Sequence, residues 1–281
     1  MQKEVKKSWA LFLGIGTMMI AHGLQMQVMG IRSVLENFSV LTTGIFMSGY
    51  YVGYFVGSKT TPNLVQKVGH IRVFAAFASL ASLSALVAVA YVNPVMWTLS
   101  RFITGISLVS CYVVSESWLN DRATNKNRGQ LLSAYMIVLY FGLAVGMLLL
   151  NVSEPKAYEP FILVSVLLSL ALVPILLTKR PAPKFKKIGT ISIRELYEIS
   201  PLGTVSSFAT GVIHAAFFSL ISVYATKAGF TLLETSILLF IATISGVFGQ
   251  GPIGYFSDLY DRRKVIVFTT FAGSALAFFS I

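Results

Sequence analysis

Residues 9–31 read WALFLGIGTMMIAHGLQMQVMGI, a run with no charged residue, preceded by Lys3, Lys6 and Lys7 and followed by Arg32. A helix needs about 20 mostly apolar residues to cross the hydrocarbon core of a bilayer. The run is too long for the apolar part of a signal peptide, and no small-residue cleavage site follows it cleanly. It reads as a retained spanning helix. Its polar residues are ordered: His22, Gln25, Met26 and Met29 recur at i, i+3, i+4 and i+7, one stripe of a helix.

Comparable runs follow at about 40–61, 73–92, 94–119, 129–151, 159–178, 200–226, 232–256 and 265–281, the last meeting Ile281 with no polar flank. The composition agrees. Of 281 residues, 55% are apolar and 12% charged, and the mean hydropathy is +0.75. A soluble domain carries about twice that charged share, and a disordered chain is poor in apolar residues. The single cysteine, Cys111, excludes an internal disulfide framework.

The net charge of +11 raises nucleic acid as a partner, but the position of the charges answers it. Helices joined by short links alternate direction. Eighteen of the 22 lysines and arginines then fall on one side, three (Arg32, Lys156, Lys227) on the other, and Arg101 inside a run. Basic loops face the cytoplasm. The pattern predicts an integral membrane protein with a cytoplasmic N-terminus and the lipid bilayer as partner, and it leaves nucleic acid without support.

One loop is long. It holds Pro181, Pro183 and six basic residues, and it divides the chain into 1–178, a six-helix bundle; 179–198, a basic cytoplasmic linker; and 199–281, an incomplete second bundle. Sliding the chain by 192 residues gives an ungapped echo: Phe38 meets Phe230, Thr43 meets Thr235, Gly57 meets Gly249, and His22 meets His214. Parallel repeats of this kind build secondary transporters. The same offset places the end of a twelfth helix about 90 residues beyond Ile281, so the expectation is a C-terminally truncated chain of about nine helices.

The loop after the eighth run carries Gly254, Asp258, Asp261, Arg262, Arg263 and Lys264. It resembles the G-x-x-x-D-x-x-(G/D)-R-(R/K)-(R/K) signature that the major facilitator superfamily carries after its second and eighth helices. The first copy, from Pro62 through Gln66 and Gly69 to Arg72, departs from it, with Pro62 for the glycine and Gln66 for the aspartate. Arg101 to Gly105 resembles the family's R-x-x-x-G motif. The stretch from Ser115 to Trp118, with Asn127 to Leu132, is similar to a poorly characterised bacterial branch. The resemblance implies an all-α polytopic membrane protein with the major facilitator fold, in the bacterial inner membrane. It also implies alternating access about a site lined mainly by the first, fourth, seventh and tenth helices.

Polar residues at membrane depth are costly and mark candidate sites. The candidates for a substrate or ion cavity are His22, Gln25, Arg101, Tyr112, Glu116 and His214. Arg101 lies about seven residues, hence about 10 Å, inside its helix; it either meets an anionic group or locks helices together. Glu116 either carries a proton or pairs with Arg128. The histidines suit proton coupling or solute hydrogen bonding, or bond between helices. The resemblance implies a cytoplasmic gate at Gly254, Asp258, Asp261, Arg262 and Arg263, with Gln66 and Arg72 in the weaker first copy. Gly49, Gly53 and Gly57 form one packing face, and Gly142 and Gly146 another. By the resemblance the first faces the eleventh helix and the second faces the eighth, at Gly246 and Gly249. Asn151-Val-Ser153 fits a glycosylation triplet.

No hydrolase elbow, Walker loop, H-E-x-x-H or C-x-x-C appears, so neither an enzyme nor an ATP motor is indicated, and no close cluster suggests a metal or cofactor. The expected function is secondary active transport of a small solute, coupled to protons. The alternative is a non-transporting membrane sensor or scaffold, or a non-functional truncated product. A channel would need pore loops or charged rings, which are not found.

Overall fold

The computed structural model of the chain describes residues 8–124, 128–178 and 192–279. The basic residues Lys3, Lys6, Lys7 and Lys126, and those from Lys179 to Lys187, lie outside them, as do the side chains of Gly254, Asp258 and Arg262 within a helix. Among the described residues there are nine long helices and no strand: α1 Trp9–Leu35, α2 Val40–Val68, α3 His70–Ala90, α4 Pro94–Arg122, α5 Arg128–Leu148, α6 Glu159–Leu170, α7 Pro201–Lys227, α8 Leu232–Leu259 and α9 Arg262–Phe279. A 3₁₀ turn, Leu149–Val152, extends α5; a helical turn, Leu172–Leu176, extends α6; and a short exposed helix, Ile193–Ile199, precedes α7. Seven of the nine are long and apolar enough to cross a membrane. The other two are α2, rich in Gly, Thr and Tyr, and α9, which opens on three basic residues.

The 192-residue echo is a repeat of geometry. Trp9 and Leu35 bound α1 where Pro201 and Lys227 bound α7, and α2 starts at Val40 where α8 starts at Leu232. Both second helices open on a hydroxyl cap, since each needs an acceptor for its first free N–H groups. Ser39 accepts from the Thr42 N–H at 3.0 Å, and Thr231 from the Glu234 N–H at 3.2 Å. The echo persists to α3 and α9, which start at His70 and Arg262.

Packing follows the small residues. α2 lies along α4 so closely that a Cβ on Gly53 would meet the Phe102 carbonyl, and one on Gly105 the Tyr50 carbonyl. Gly49 faces Thr98, and Gly57 faces Ile106 and Val109. The first glycine face therefore serves α4, within the same bundle, and does not await an eleventh helix. Gly142 and Gly146 likewise meet α1, at the carbonyls of Gly16 and Ile20, while Gly246 and Gly249 have no neighbouring helix against them among the described residues. In both cases close backbone approach is used inside the bundle.

The centre between α3, α4 and α6 is tied by hydroxyls. Ser84 bonds Thr104 at 2.8 Å, Ser100 donates to the Ser84 carbonyl, and Ser82 bonds Ser165 at 2.7 Å. Trp97 is buried against Phe38 and Phe46 and donates its indole N–H to the Ala88 carbonyl at 2.8 Å. α7 packs on α1 and α2, and α8 on α5.

Candidate functional site

Those packing choices leave a cavity of about 520 Å³ between α1, α2, α4, α5 and α7. α1 contributes Met19, His22 and Met26, and α2 contributes Tyr50, Tyr51 and Tyr54. Tyr112 comes from α4, and Met136, Leu139, Tyr140 and Leu143 from α5. α7 closes one side with Gly211, His214 and Phe218. His22 and His214 are each the middle residue of a 27-residue helix, so the cavity lies at half-height in the bundle.

Of the six residues expected to form the cavity, His22, Tyr112 and His214 line it; Gln25, Arg101 and Glu116 do not. Gln25 is buried within α1's packing with its amide nitrogen unpartnered. Arg101 is fully buried one turn before Gly105, where α4 approaches α2 most closely. That approach sets its guanidinium 4.7 Å from the centre of the Tyr50 ring, and none of its three nitrogens has a hydrogen-bond partner among the described residues. A cation over an aromatic face is attracted by the ring's quadrupole. Tyr50 in turn stacks on His22, with centroids 5.3 Å apart and planes 20° from parallel. Arg101, Tyr50 and His22 thus run in series from the interior of α4 to the cavity wall.

Tyr112 donates its hydroxyl to the Met19 sulfur at 2.9 Å, closing the wall between α4 and α1. Glu116 sits one turn further along α4, within electrostatic reach of Tyr54 and Tyr135. No ion pair joins it to Arg128, whose side chain is exposed. His214 leans on Phe218 with ring centroids 5.1 Å apart.

Two features escaped the residue-by-residue reading. The tyrosines of α2 form more of the wall than α4 does, and α5 supplies four residues. The signal was present in Tyr50, Tyr51 and Tyr54, at i, i+1 and i+4, beside a glycine face that drew attention to packing instead. The expected emphasis on the first, fourth and seventh helices holds for α1 and α7; α4 supplies Tyr112 alone.

At the gate motif, Asp261 accepts a hydrogen bond from the Arg263 N–H at 2.8 Å and so caps the start of α9. The side chains of Gly254, Asp258 and Arg262 lie outside the described residues. In the first copy Gln66 and Arg72 are exposed. Asn151, of the glycosylation triplet, donates to the Leu148 carbonyl and, at 2.7 Å, to the Ser236 hydroxyl on α8.

The chain is similar to the uncharacterized MFS-type transporter YcaD of Escherichia fergusonii, 25% identical over 244 residues, which are 85% of this chain and 64% of the relative. The YcaD protein of Escherichia coli O6:K15:H31 (strain 536 / UPEC) is 27% identical over the same coverage. The chain therefore spans less than two thirds of the length of these relatives. In fold it resembles a D-xylose–proton symporter, with a TM-score of 0.63 and 14% identity, covering 90% of this chain and 69% of that one. It also resembles the D323A mutant of the nucleoside transporter NupG, with a TM-score of 0.68 and 14% identity, over 90% of this chain and 68% of that one. The family model of the Major Facilitator Superfamily matches residues 11–281; the chain, an integral membrane protein of apolar helices, belongs to that superfamily.

Proposed function

We propose that the chain acts in secondary transport of a small solute across the bacterial inner membrane by alternating access, coupled to protons. The observation that carries this is the asymmetry of the cleft around the cavity. The buried residues of α7 are Ser219, Ser222, Val223 and Ala225, all near one end of the helix. Those of α8, Thr235, Ser236, Leu239 and Thr243, lie at the matching end. The other half of α7, where Gly211 and His214 line the cavity, is largely exposed. A half-height cavity packed at one end and without neighbours at the other, among the described residues, fits one state of an alternating-access cycle.

In this reading the division into 1–178, 179–198 and 199–281 separates the two moving bodies and their linker. The N-terminus and basic loops are cytoplasmic, so the open end faces the cytoplasm. His22 and His214 are the candidates for proton coupling, because both imidazoles line the cavity at half-height from matching repeat positions; Glu116 is the alternative carrier at the edge of the site. The second-copy motif around Asp258 to Arg263, with Gln66 and Arg72 in the first copy, serves as the cytoplasmic gate. Its cost when closed is met by charge-assisted bonds at helix ends.

The test is a flux assay in proteoliposomes with an imposed pH gradient and an internal pH-sensitive dye. Solutes offered singly, beginning with D-xylose and uridine because the similar folds carry sugars and nucleosides in their names, should alter the proton leak only when transported. Absence of solute-dependent flux across a broad panel, from protein that is folded by circular dichroism, would sink the proposal in favour of a non-transporting sensor or scaffold.

A further inference from the structure

The chemistry of the cavity wall narrows the solute class. The wall is tyrosine, histidine, phenylalanine, methionine and leucine, with no Asp, Glu, Lys or Arg side chain among the described lining residues. Such a wall offers several flat faces, with its polar groups confined to tyrosine hydroxyls and imidazoles. Tyr50 and His22 present one face from α1 and α2, and His214 and Phe218 another from α7. A planar ring would stack.

The charge is one ring deeper. Arg101 keeps its proton under any physiological condition, is fully buried, and has no hydrogen-bond partner on any guanidinium nitrogen among the described residues. Its positive field is therefore uncancelled where it meets Tyr50, whose ring forms part of the cavity wall. Glu116 is fifteen residues further along the same helix, about 22 Å away at the helical rise, too far to neutralise it. Beside Tyr50, at the opposite end from Glu116, a cation would be repelled by Arg101 and an anion attracted through a low-dielectric wall.

We propose that the cavity takes a planar aromatic solute bearing one negative charge, its ring stacked against Tyr50, His22 and Phe218 and its charge drawn toward the Tyr50 side by the field of Arg101 behind that ring. This rests on the cavity being the transport site, and binding can be read separately from flux. The probe is radiolabelled benzoate, measured by equilibrium dialysis against the purified chain in lipid nanodiscs at pH 8. Competitors are benzamide, benzamidine and cyclohexanecarboxylate. The first two keep the ring and change its charge to zero and to plus one. The third keeps the charge and loses the flat face.

Benzamide and cyclohexanecarboxylate are expected to compete about ten-fold or more weakly than unlabelled benzoate, and benzamidine not at all. R101Q should erase the preference for benzoate over benzamide, and R101K should keep it. If R101Q does not fold, the competition series on the unsubstituted chain still decides. Equal competition by benzamidine or cyclohexanecarboxylate, or no saturable benzoate binding, overturns the class. Benzoate binding without flux of any solute leaves the class standing and sinks transport. Flux of D-xylose or uridine without benzoate binding does the reverse.

Discussion

Asn37 and Gly229 occupy the same turn, 192 residues apart, each with a positive φ, 57° and 85°. In each the following N–H reaches back into the helix just ended: Phe38 to the Ser33 carbonyl at 2.9 Å, Phe230 to the Ala225 carbonyl at 3.0 Å. α1 and α7 therefore stop in the same way. A left-handed residue past the last turn satisfies carbonyls that the helix leaves free. Glycine adopts that conformation without penalty, and asparagine is the usual side-chain-bearing substitute.

Gly229→Ala should cost about 1–2 kcal/mol, the price of a Cβ in the left-handed region. Nothing lies within 4 Å of the position such a Cβ would take, so the cost is backbone alone. Asn37→Gly should be neutral or slightly stabilising, and Asn37→Ala should lose about as much as the glycine substitution. Thermal unfolding in detergent, followed by intrinsic fluorescence, reads all three. An unchanged midpoint for Gly229→Ala would show that the turn is not left-handed.

The glycines inside helices divide by what stands opposite. A methyl group on Gly53 or Gly105 would run into a main-chain carbonyl of the partner helix, which cannot step aside. Either substitution by Ala should cost about 1–3 kcal/mol as overpacking, and more if the helices separate. Gly44, on the same helix as Gly53, has nothing within 4 Å. There Ala should stabilise by up to about 1 kcal/mol through helix propensity. Unfolding midpoints that move in the same direction for Gly44 and Gly53 would refute the α2–α4 backbone contact.

The helices and their order were legible because bilayer thickness imposes a run length, and a run of apolar residues is visible without knowing its neighbours. The repeat was legible because the turn at Asn37 and Gly229 and the caps at Ser39 and Thr231 depend on local residues. What faces what was not. Gly53 reads as a packing residue, but nothing in its neighbours tells whether a fourth or an eleventh helix lies opposite. Arg101 was read as a cavity residue because charge at membrane depth draws attention; its place behind Tyr50 follows from Gly105, one turn away, and from the depth of the α2–α4 contact. The tyrosines of α2 were overlooked because an aromatic at helical spacing is more often core than site.

Outside the spanning helices, Ser192 and Glu195 cap Ile193–Ile199 reciprocally, the Glu195 carboxylate accepting from the Ser192 N–H at 2.7 Å. That bond holds the Glu195 carboxyl below its ordinary value of 4.5. A group with a lowered value contributes stability that is complete above the ordinary value and is lost as pH falls through the lowered one. The protection of amides across Ile193–Ile199, each rate taken relative to its intrinsic rate at the same pH, should therefore persist at pH 4.5 and fall only in stronger acid. Glu195→Gln should remove that acid transition. Exchange with the same pH course in both proteins would mean that the capping box does not hold the helix.

Closure at the sealed end includes two side-chain hydrogen bonds between α5 and α8. Asn151 donates to Ser236 at 2.7 Å, and Thr243 donates to the Met147 sulfur at 3.2 Å. A Cβ on Gly30 would meet the Ser222 hydroxyl, so α7 meets α1 there through the Ser222 side chain. If the cleft opens alternately, these contacts must part in every cycle, and weakening them should shift the population toward the other state. A cysteine at Gly211 reports on this, since Gly211 lines the cavity, is exposed and has room for a Cβ. Cys111, the only native thiol, is buried. In the otherwise unsubstituted chain, Gly211→Cys should react quickly with an impermeant maleimide from the open side and slowly from the sealed side. Adding Gly30→Val, which pushes α1 from Ser222, or Ser236→Val, which removes the acceptor for Asn151, should raise the slow rate several-fold and lower the fast one. Two rates that stay as they were would mean that the sealed end is a fixed joint, and alternating access through it would have to be given up.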